Sequence, residues 1–558
     1  MYSFEARLLI DGEAYYTTNF DNEFFSFEVL ETEDAIKGTI TAKKDIFFKG
    51  LSISKEYKFG PKTLFFANGY QSWSTTEEHR ASDVTKDKTA LLDFFDFGKY
   101  MVGAMSDYSF TSYGEKGCFH SHTFTYLREE GSTDITLLGS RSERKGFTIF
   151  DVDMNAGRFS IVKDIDGLML TEGSIYDVFD ICIIRDKYDA AFDRYFFDFC
   201  GFSKPKVERL AGYTSWYNYF SKINENILMR DLNGLDRAKD KTQIFQIDDG
   251  YESSVGDWLI PDKKKFPNGM KPLADAAHEK GYLAGIWLAP LCAQLFSKTA
   301  RKHPDWLVKD INTGKKLIGH FGWGGAYALD VYNEGAREYI KYFFDVILND
   351  WGFDMVKLDF LFISCIQPRD GKTRGEIMCD SVDLLREACG DKIILGCGVP
   401  LGACMGVFDA CRIGPDANKV YKGNLVNTIA FNNEIPSSRY AIVNSIFRRG
   451  LDGRAFANDP DVFFLRDDNL KYSLEQKLLL ASVNDITGSI IFMSDNAGDY
   501  DETTVETLKY FFSEKDIKVK LAEYESADDM VLEYSVNGED KQLKFNLKTG
   551  KSNIKQLI

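Results

Sequence analysis

The sequence predicts a multidomain protein of the α/β plus β class, in which a parallel α/β domain lies between a large antiparallel β-domain and a small one. Three observations lead there. Polar and apolar side chains alternate with a period of two in the first part of the chain, short apolar runs alternate with helical stretches in the middle, and simple alternation returns at the end. The expected divisions are 1–204, 205–495 and 496–558. A chain of 558 residues also requires more than one core, because single cores stop growing at about 250–300 residues.

In the first part, Leu51, Ile53, Tyr57 and Phe59 fall on one side of the period-two pattern, with Ser52, Ser54 and Lys58 on the other. Similar short strands, broken by Gly, Asp and Asn, recur to about Ile184. No long amphipathic helix interrupts them, so an N-terminal antiparallel β-sandwich is expected.

The pattern changes near residue 205. The apolar runs LAGYTSWY, IFQIDDG, YLAGIWLAP, MVKLDFLF, KIILGCG and CRIGPD read as strands buried on both faces, with further candidates at AFANDPD and TGSIIFMS. Helices lie between them. One is expected over 270–280, ended by Gly281. Another is expected over 336–351, where Ile340, Phe343, Phe344, Ile347, Leu348 and Trp351 form one stripe and Gly352 stops the helix. Eight such strands close a (β/α)8 TIM-type barrel, but an open doubly wound sheet uses the same alphabet, and the pattern leaves both open. In the last part Leu543, Phe545 and Leu547 alternate with Lys544 and Asn546 after a VNGED hairpin turn, so a small C-terminal β-sandwich is expected.

Composition excludes several classes of function. With 68 basic against 85 acidic residues the net charge is −17, which would repel nucleic acid and anionic membranes alike. No apolar run is long enough to span a bilayer, and the opening MYSFEARLLIDGEAYY lacks the basic-then-apolar order of a signal peptide. The ten cysteines are scattered and sit mostly in apolar stretches, with no CxxC pair. Buried free thiols in a cytoplasmic protein are therefore expected.

Chemistry is expected where parallel strands end, because a parallel α/β domain carries its active site there. IFQI ends in Asp248 and Asp249, and MVKL ends in Asp359 with Lys357 two residues earlier on the same face. CRIGP ends in Asp416, four residues after Arg412, and Trp216 and Trp287 close two further runs. Each has an ordinary structural role: a lone Asp after a strand caps the next helix, and Asp-Asp-Gly makes a turn. Together, at the ends of five strands, they form a polar mouth. Two carboxylates across such a mouth can cleave a glycosidic bond, one as nucleophile and one as general acid. A Lys beside the first would keep it ionised, vicinal carboxylates accept hydrogen bonds from sugar hydroxyls, and Trp faces stack on pyranose rings.

A metal is the rival use for clustered acids. Of the six His, none lies on a strand end among the acids; His278 is helical, and His120 and His122 belong to the N-terminal β-domain. No phosphate-binding loop accompanies the acids. Neither a metal nor another cofactor is expected in the reaction.

With these residues in view, the chain resembles glycoside hydrolase family 36, the α-galactosidases, and especially its compact bacterial members. ANGYQSWS, GYTSWYNY, FQIDDGYESSVGDW, GIWLAP, VKLDFLF, GCGVPLG, CRIGPD and NDPD follow the order of that family's motifs along nearly the whole chain. The resemblance implies a barrel rather than an open sheet. It implies Asp359 as nucleophile, Asp416 as acid/base, and Asp248 and Asp249 as carboxylates for the sugar 4- and 6-hydroxyls. Lys357, Trp216, Trp287, Cys397 and Arg412 would line the sugar pocket, with Trp73 reaching in from the N-terminal domain. Larger members carry Ser-Asp where this chain has Gly-Pro-Asp, so their tetramer features do not transfer and the oligomeric state stays open.

The implied activity is retaining, exo-acting hydrolysis of α-galactosides such as melibiose or raffinose. The alternatives are an α-N-acetylgalactosaminidase, galactosyl transfer through the same intermediate, and a carbohydrate-binding protein on a degenerate barrel.

Overall fold

A computed structural model describes residues 2–10, 12–85, 106–107, 111–422 and 436–556. The N-terminal alternation folds into two antiparallel sheets. One runs Glu13–Thr17, Ser3–Ile10, Ile46–Glu56, Arg158–Asp164, Phe147–Asp153, Cys118–His122, with Met169–Leu170 also on Ile46–Glu56. The other runs Phe25–Glu31, Ala35–Ala42, Ile175–Lys187, Asp134–Ser140, Phe124–Glu129, Thr63–Ala67, Glu77–His79. Phe4, Ala6 and Leu8 from the first and Phe25, Phe27 and Ile40 from the second share one core. Leu51 and Ile53 point into it, while Ser52 and Ser54 stay half-buried, as the period-two pattern requires.

The middle of the chain builds a curled nine-stranded sheet, parallel throughout. In space its strands run Ala457–Asp459, Ala410–Arg412, Ile393–Gly396, Met355–Leu358, Leu283–Leu288, Ile244–Ile247, Leu210–Thr214, Ile490–Met493, Val462–Phe463. The first and last of these belong to one stretch of chain, 457–463, interrupted at Pro460, which has no N–H to offer a ladder. Its first half pairs with Ala410–Arg412 and its second with Ile490–Met493. Ser489 N also donates to Asn458 O at 3.1 Å. The two ends of the sheet therefore meet in a single segment. Every residue of Leu210–Thr214, Ile244–Ile247, Met355–Leu358 and Ile490–Met493 is buried, which is why these segments read as unbroken apolar runs.

The helices lie close to expectation. One spans Lys271–Glu279, with Gly281 at φ +88° beyond it. The other starts at Glu334, because the Asn333 side chain caps the amide of Ala336 at 3.1 Å. It runs to Asp345, continues as a wider π turn over Val346–Asp350, and stops before Gly352 at φ +84°.

Two features depart from the sequence reading. A small antiparallel sheet of Cys292–Gln294, Ala326–Ala328 and Ile318–His320 is inserted after the third parallel strand. Its strands of three residues are too short for alternation to register. The expected C-terminal sandwich is instead a single three-stranded sheet, Ile517–Tyr524, Asp529–Val536 and Glu539–Asn546, preceded by the helix Glu502–Phe512. No second sheet covers it among the described residues, because its apolar face (Met530, Leu532, Leu543, Phe545) joins the main core.

One buried cation ties the N-terminal domain to the parallel sheet. Arg448 follows the helix Ser438–Phe447 and is 1% exposed. Its guanidinium donates to Asn68 Oδ1, to the carbonyls of Gly69, Gln71 and Ser72, and to the carbonyl of Ile413 at 2.7–3.1 Å. On the same side Ser72 N donates to Val399 O at 3.2 Å, and Val399 N donates to Ser72 Oγ at 3.3 Å. The loop 67–74 is thereby held over the strand ends. Arg448→Met would strand these buried acceptors at a cost on the order of 3 kcal/mol. The expected outcome is faster amide exchange across 67–74, measured by hydrogen–deuterium exchange mass spectrometry, with the parallel strands still protected.

Candidate active site

Most of the residues that sequence analysis places at strand ends meet at the C-terminal mouth of the parallel sheet. Asp359 follows Met355–Leu358, and its backbone amide donates to Leu288 O at 2.8 Å, which fixes the turn. Its carboxylate is buried. One oxygen accepts from the indole Nε1 of Trp287 at 3.1 Å and the other from the amide of Phe360 at 2.8 Å. Trp287 is boxed edge-on by Trp258 and Trp323, with ring centroids 5.9 and 6.0 Å away. It thus orients Asp359 through its N–H.

Lys357 and Trp287 are register partners on adjacent strands and face the same way. The expectation that Lys357 holds Asp359 ionised needs correcting. Its ammonium pairs with Asp248 Oδ2 at 2.9 Å, across the mouth. Burial pushes the Asp359 carboxyl above the ordinary range; Lys357 pulls the other way without direct contact and does not prevail. The adjacent charge of Asp416 adds to the rise, so the two carboxylates sense one another.

Asp248 is further held by Gln246 Nε2 at 3.2 Å, and its amide donates to Ser215 Oγ at 2.9 Å. Asp249 accepts from the indole of Trp323 at 3.0 Å. Burial raises its carboxyl, and burial together with Asp249 raises that of Glu252 well above its usual range.

Asp416 lies on the loop after Ala410–Arg412, and its side chain is 34% exposed. Arg412 donates to Asp416 Oδ1 at 2.7 Å, to Tyr217 Oη at 3.1 Å, and pairs with Asp461 at 2.9 Å. Tyr217 donates to the other oxygen of Asp461 at 2.7 Å. Asp461 has a φ of +81°, a strained value for a non-glycine residue. Burial drives its carboxyl up to about 7 despite the guanidinium.

Cys397 and Trp73 form one wall. Both are buried and share a small apolar cluster with Phe362. Trp73 comes from the loop clamped by Arg448 and meets Phe360 edge-on at 5.3 Å. Between them Gly398 sits at φ +54°, where a Cβ would come within 2.9 Å of the Trp73 ring. Only glycine permits that approach. Trp216 sits at the rim, outside the hydrogen-bonded network. Its ring meets Phe220 at 5.1 Å, and Lys419 Nζ lies 4.3 Å from the Phe220 centroid, linking this rim to the Asp416 loop.

Sequence reasoning did not single out Glu252, Trp323, Tyr217 or Asp461. NDPD was noticed only as a motif, and Trp323 sits in a glycine-rich stretch without periodicity. A second cluster lies away from this mouth: Asp107, His120 and His122 bring ligand-type atoms within 4.8 Å of one another.

These geometries can be set beside known proteins. A family model described as melibiase matches residues 217–365. Alpha-galactosidase Mel36A from Lactobacillus acidophilus is 35% identical over 102 residues, 17% of this chain and 13% of that protein. An A type blood alpha-D-galactosamine galactosaminidase from Flavonifractor plautii is 33% identical over 123 residues, 21% of this chain and 11% of that protein. The chain thus matches little more than a tenth of the length of these curated relatives.

The fold extends further than the identity. An α-galactosidase from Thermus thermophilus, solved with p-nitrophenyl α-D-galactopyranoside, superposes with a TM-score of 0.71 at 22% identity, covering 96% of this chain and 98% of that one. The family 36 α-galactosidase AgaA from Geobacillus stearothermophilus gives 0.60 at 12% identity, covering 95% and 80%.

The Asp461 environment makes a stability prediction. Its folded value of about 7 lies above the unfolded value of about 3.8. The stability it contributes is fully present below about pH 4 and is lost as pH rises through about 7. Asp461→Asn removes that titration. Calorimetric midpoints of the variant should fall less than those of the parent across this window; an equal fall in both would contradict the assignment.

Proposed function

We propose that this chain, a relative of the glycoside hydrolase family 36 α-galactosidases, hydrolyses terminal α-linked galactose from oligosaccharides such as melibiose or raffinose with retention of configuration. The observation that carries the reading is the pairing of a buried, doubly oriented carboxylate at 359 with a solvent-reached carboxylate at 416 at one mouth. The curled sheet is read as a (β/α)8 barrel in residues 205–495, flanked by β-domains in 1–204 and 496–558. The ten cysteines are all free, which supports a reducing, cytoplasmic setting.

In this mechanism Asp359 attacks the anomeric carbon while the Asp416 carboxyl protonates the departing glycosidic oxygen, giving a β-linked galactosyl ester and the free aglycone. Water enters, Asp416 takes its proton, and hydroxide displaces Asp359 to return α-galactose. Trp287 and the Phe360 amide hold the attacking oxygens. Asp248, Asp249 and Lys357 converge where neighbouring hydroxyls would be read, and Trp73 closes the far wall. Arg412, anchored by Asp461 and Tyr217, orients Asp416.

A second reading is an α-N-acetylgalactosaminidase; the Flavonifractor relative, named for galactosamine, acts on a sugar that also carries nitrogen in place of a hydroxyl. The wall of Cys397, Gly398 and Trp73 favours a hydroxyl over an acetamido group, because it is already packed to contact. Parallel assays on the two p-nitrophenyl α-glycosides separate the readings.

Asp359→Ala is expected to abolish turnover, with azide restoring it and yielding β-galactosyl azide; near-native turnover without azide would defeat the assignment. Asp416→Ala should lower kcat by ~10²–10⁴-fold on substrates with a poor leaving group and much less on p-nitrophenyl galactoside. The acidic limb of kcat/KM should lie above the ordinary aspartate value of 3.8, because burial raises Asp359. Lys357→Met removes an opposing charge, so that limb should move to still higher pH. A shift to lower pH would show that Lys357 does not act on Asp359.

A further inference from the structure

We propose that Asp107, His120 and His122 form a divalent-cation site of the zinc class in the N-terminal domain, unconnected with the hydrolytic carboxylates. The site follows from strand geometry. His120 and His122 lie two residues apart on Cys118–His122, so both rings project from the same face. Asp107 comes from a separate segment and sets one oxygen, Oδ2, 2.8 Å from each Nε2. All three residues are buried or nearly so, with side-chain exposures of 2% for Asp107, 9% for His120 and 3% for His122. Two imidazoles and one carboxylate converging on a point are a common donor set for zinc, leaving a fourth position for water.

The spacing is close to what the ion needs. Tetrahedral bonds of about 2.0–2.1 Å separate ligand atoms by roughly 3.3 Å, so Oδ2 would draw back from each Nε2 by about half an ångström, while the two Nε2 atoms already lie within 4.8 Å of one another. Without a cation, each Nε2 donates to Asp107; with one, the ring proton moves to Nδ1 and the Nε2 lone pair becomes the ligand. The surroundings fix the ligands. Tyr113 donates to the other oxygen of Asp107 at 2.6 Å, which sets the carboxylate plane. Asp151 is the cross-strand partner of His120 and adds a carboxylate beside the cluster. Asp153 and Glu115 add negative charge nearby; Arg158 and, beside His122, Arg374 partly offset it.

The cluster also has a place in the architecture. Asn68 exchanges hydrogen bonds with the backbone of His122, Tyr70 packs edge-on against the His122 ring at 5.3 Å, and Ser106 Oγ lies 3.2 Å from Ser74 Oγ. The ion would therefore staple the segment of Asp107 to a strand directly behind the loop that presents Trp73. In this role the cation cross-links chain segments and takes no part in bond cleavage.

The test uses the full chain, stripped with a chelator and titrated with zinc chloride against a chromophoric competitor. One equivalent per chain should bind, and Asp107→Asn or His120→Gln should weaken binding at least about tenfold. Zinc should raise the calorimetric midpoint of the parent and leave that of the variants unchanged. Cobalt in place of zinc should give the visible bands of a four-coordinate nitrogen–oxygen site, which keeps the test decisive if a variant fails to fold. Equal zinc binding in parent and variants, or a parent that gives no such cobalt spectrum, would overturn the proposal.

Discussion

A buried guanidinium has to be surrounded by anions and acceptors, and Arg412 imposes that constraint on the mouth of this protein. Its charge cannot be left unmatched in the interior, so Asp461, Tyr217 and Asp416 gather around it from three different stretches of chain. Asp461 and Tyr217 supply the buried part of that match at 2.9 and 3.1 Å from the guanidinium, and a 2.7 Å bond from Tyr217 to Asp461 fixes the two to one another. Asp416 is the partner that also meets solvent. The Asp416 loop is therefore pinned at its base while its carboxyl stays accessible, which suits the proton-donor role proposed for it. Asp461 holds this place with a backbone φ of +81°.

Two strands along the sheet the same rule acts through Lys357. Its ammonium is matched by Asp248 across the opening, which leaves Asp359 dependent on the indole of Trp287 and a backbone amide. Burial then dominates the Asp359 carboxyl and lifts it. Two carboxylates, after strands separated by the single strand Ile393–Gly396, thus occupy distinct electrostatic settings, one clamped to a cation and one held by neutral donors.

The third element is a union of two domains. Arg448 spends its donors on carbonyls of loop 67–74 and on Ile413, so the N-terminal sandwich and the segment that follows Ala410–Arg412 share one clamp. Trp73 and Gly398 can then close to contact. The far wall belongs to neither domain alone.

Much of this was legible in the order of residues. Unbroken apolar runs marked the parallel strands because both of their faces are buried, and the charged residues at their ends stood out because nothing in a core would select them. Gly281 and Gly352 ended their helices for the same local reason. Other features depended on contacts between segments distant in sequence. Whether Lys357 faces Asp359 or Asp248 is decided by sheet curl, which brings positions 109 apart to 2.9 Å. Trp323, Glu252 and Asp461 carry no periodic signal, and the C-terminal sheet looked like a sandwich because alternation reports one buried face without saying what covers it. The sequence by itself determined which side chains end each strand, since that is local patterning. Only the tertiary structure decided which charge pairs with which, because in a buried site the match is set by distance and desolvation.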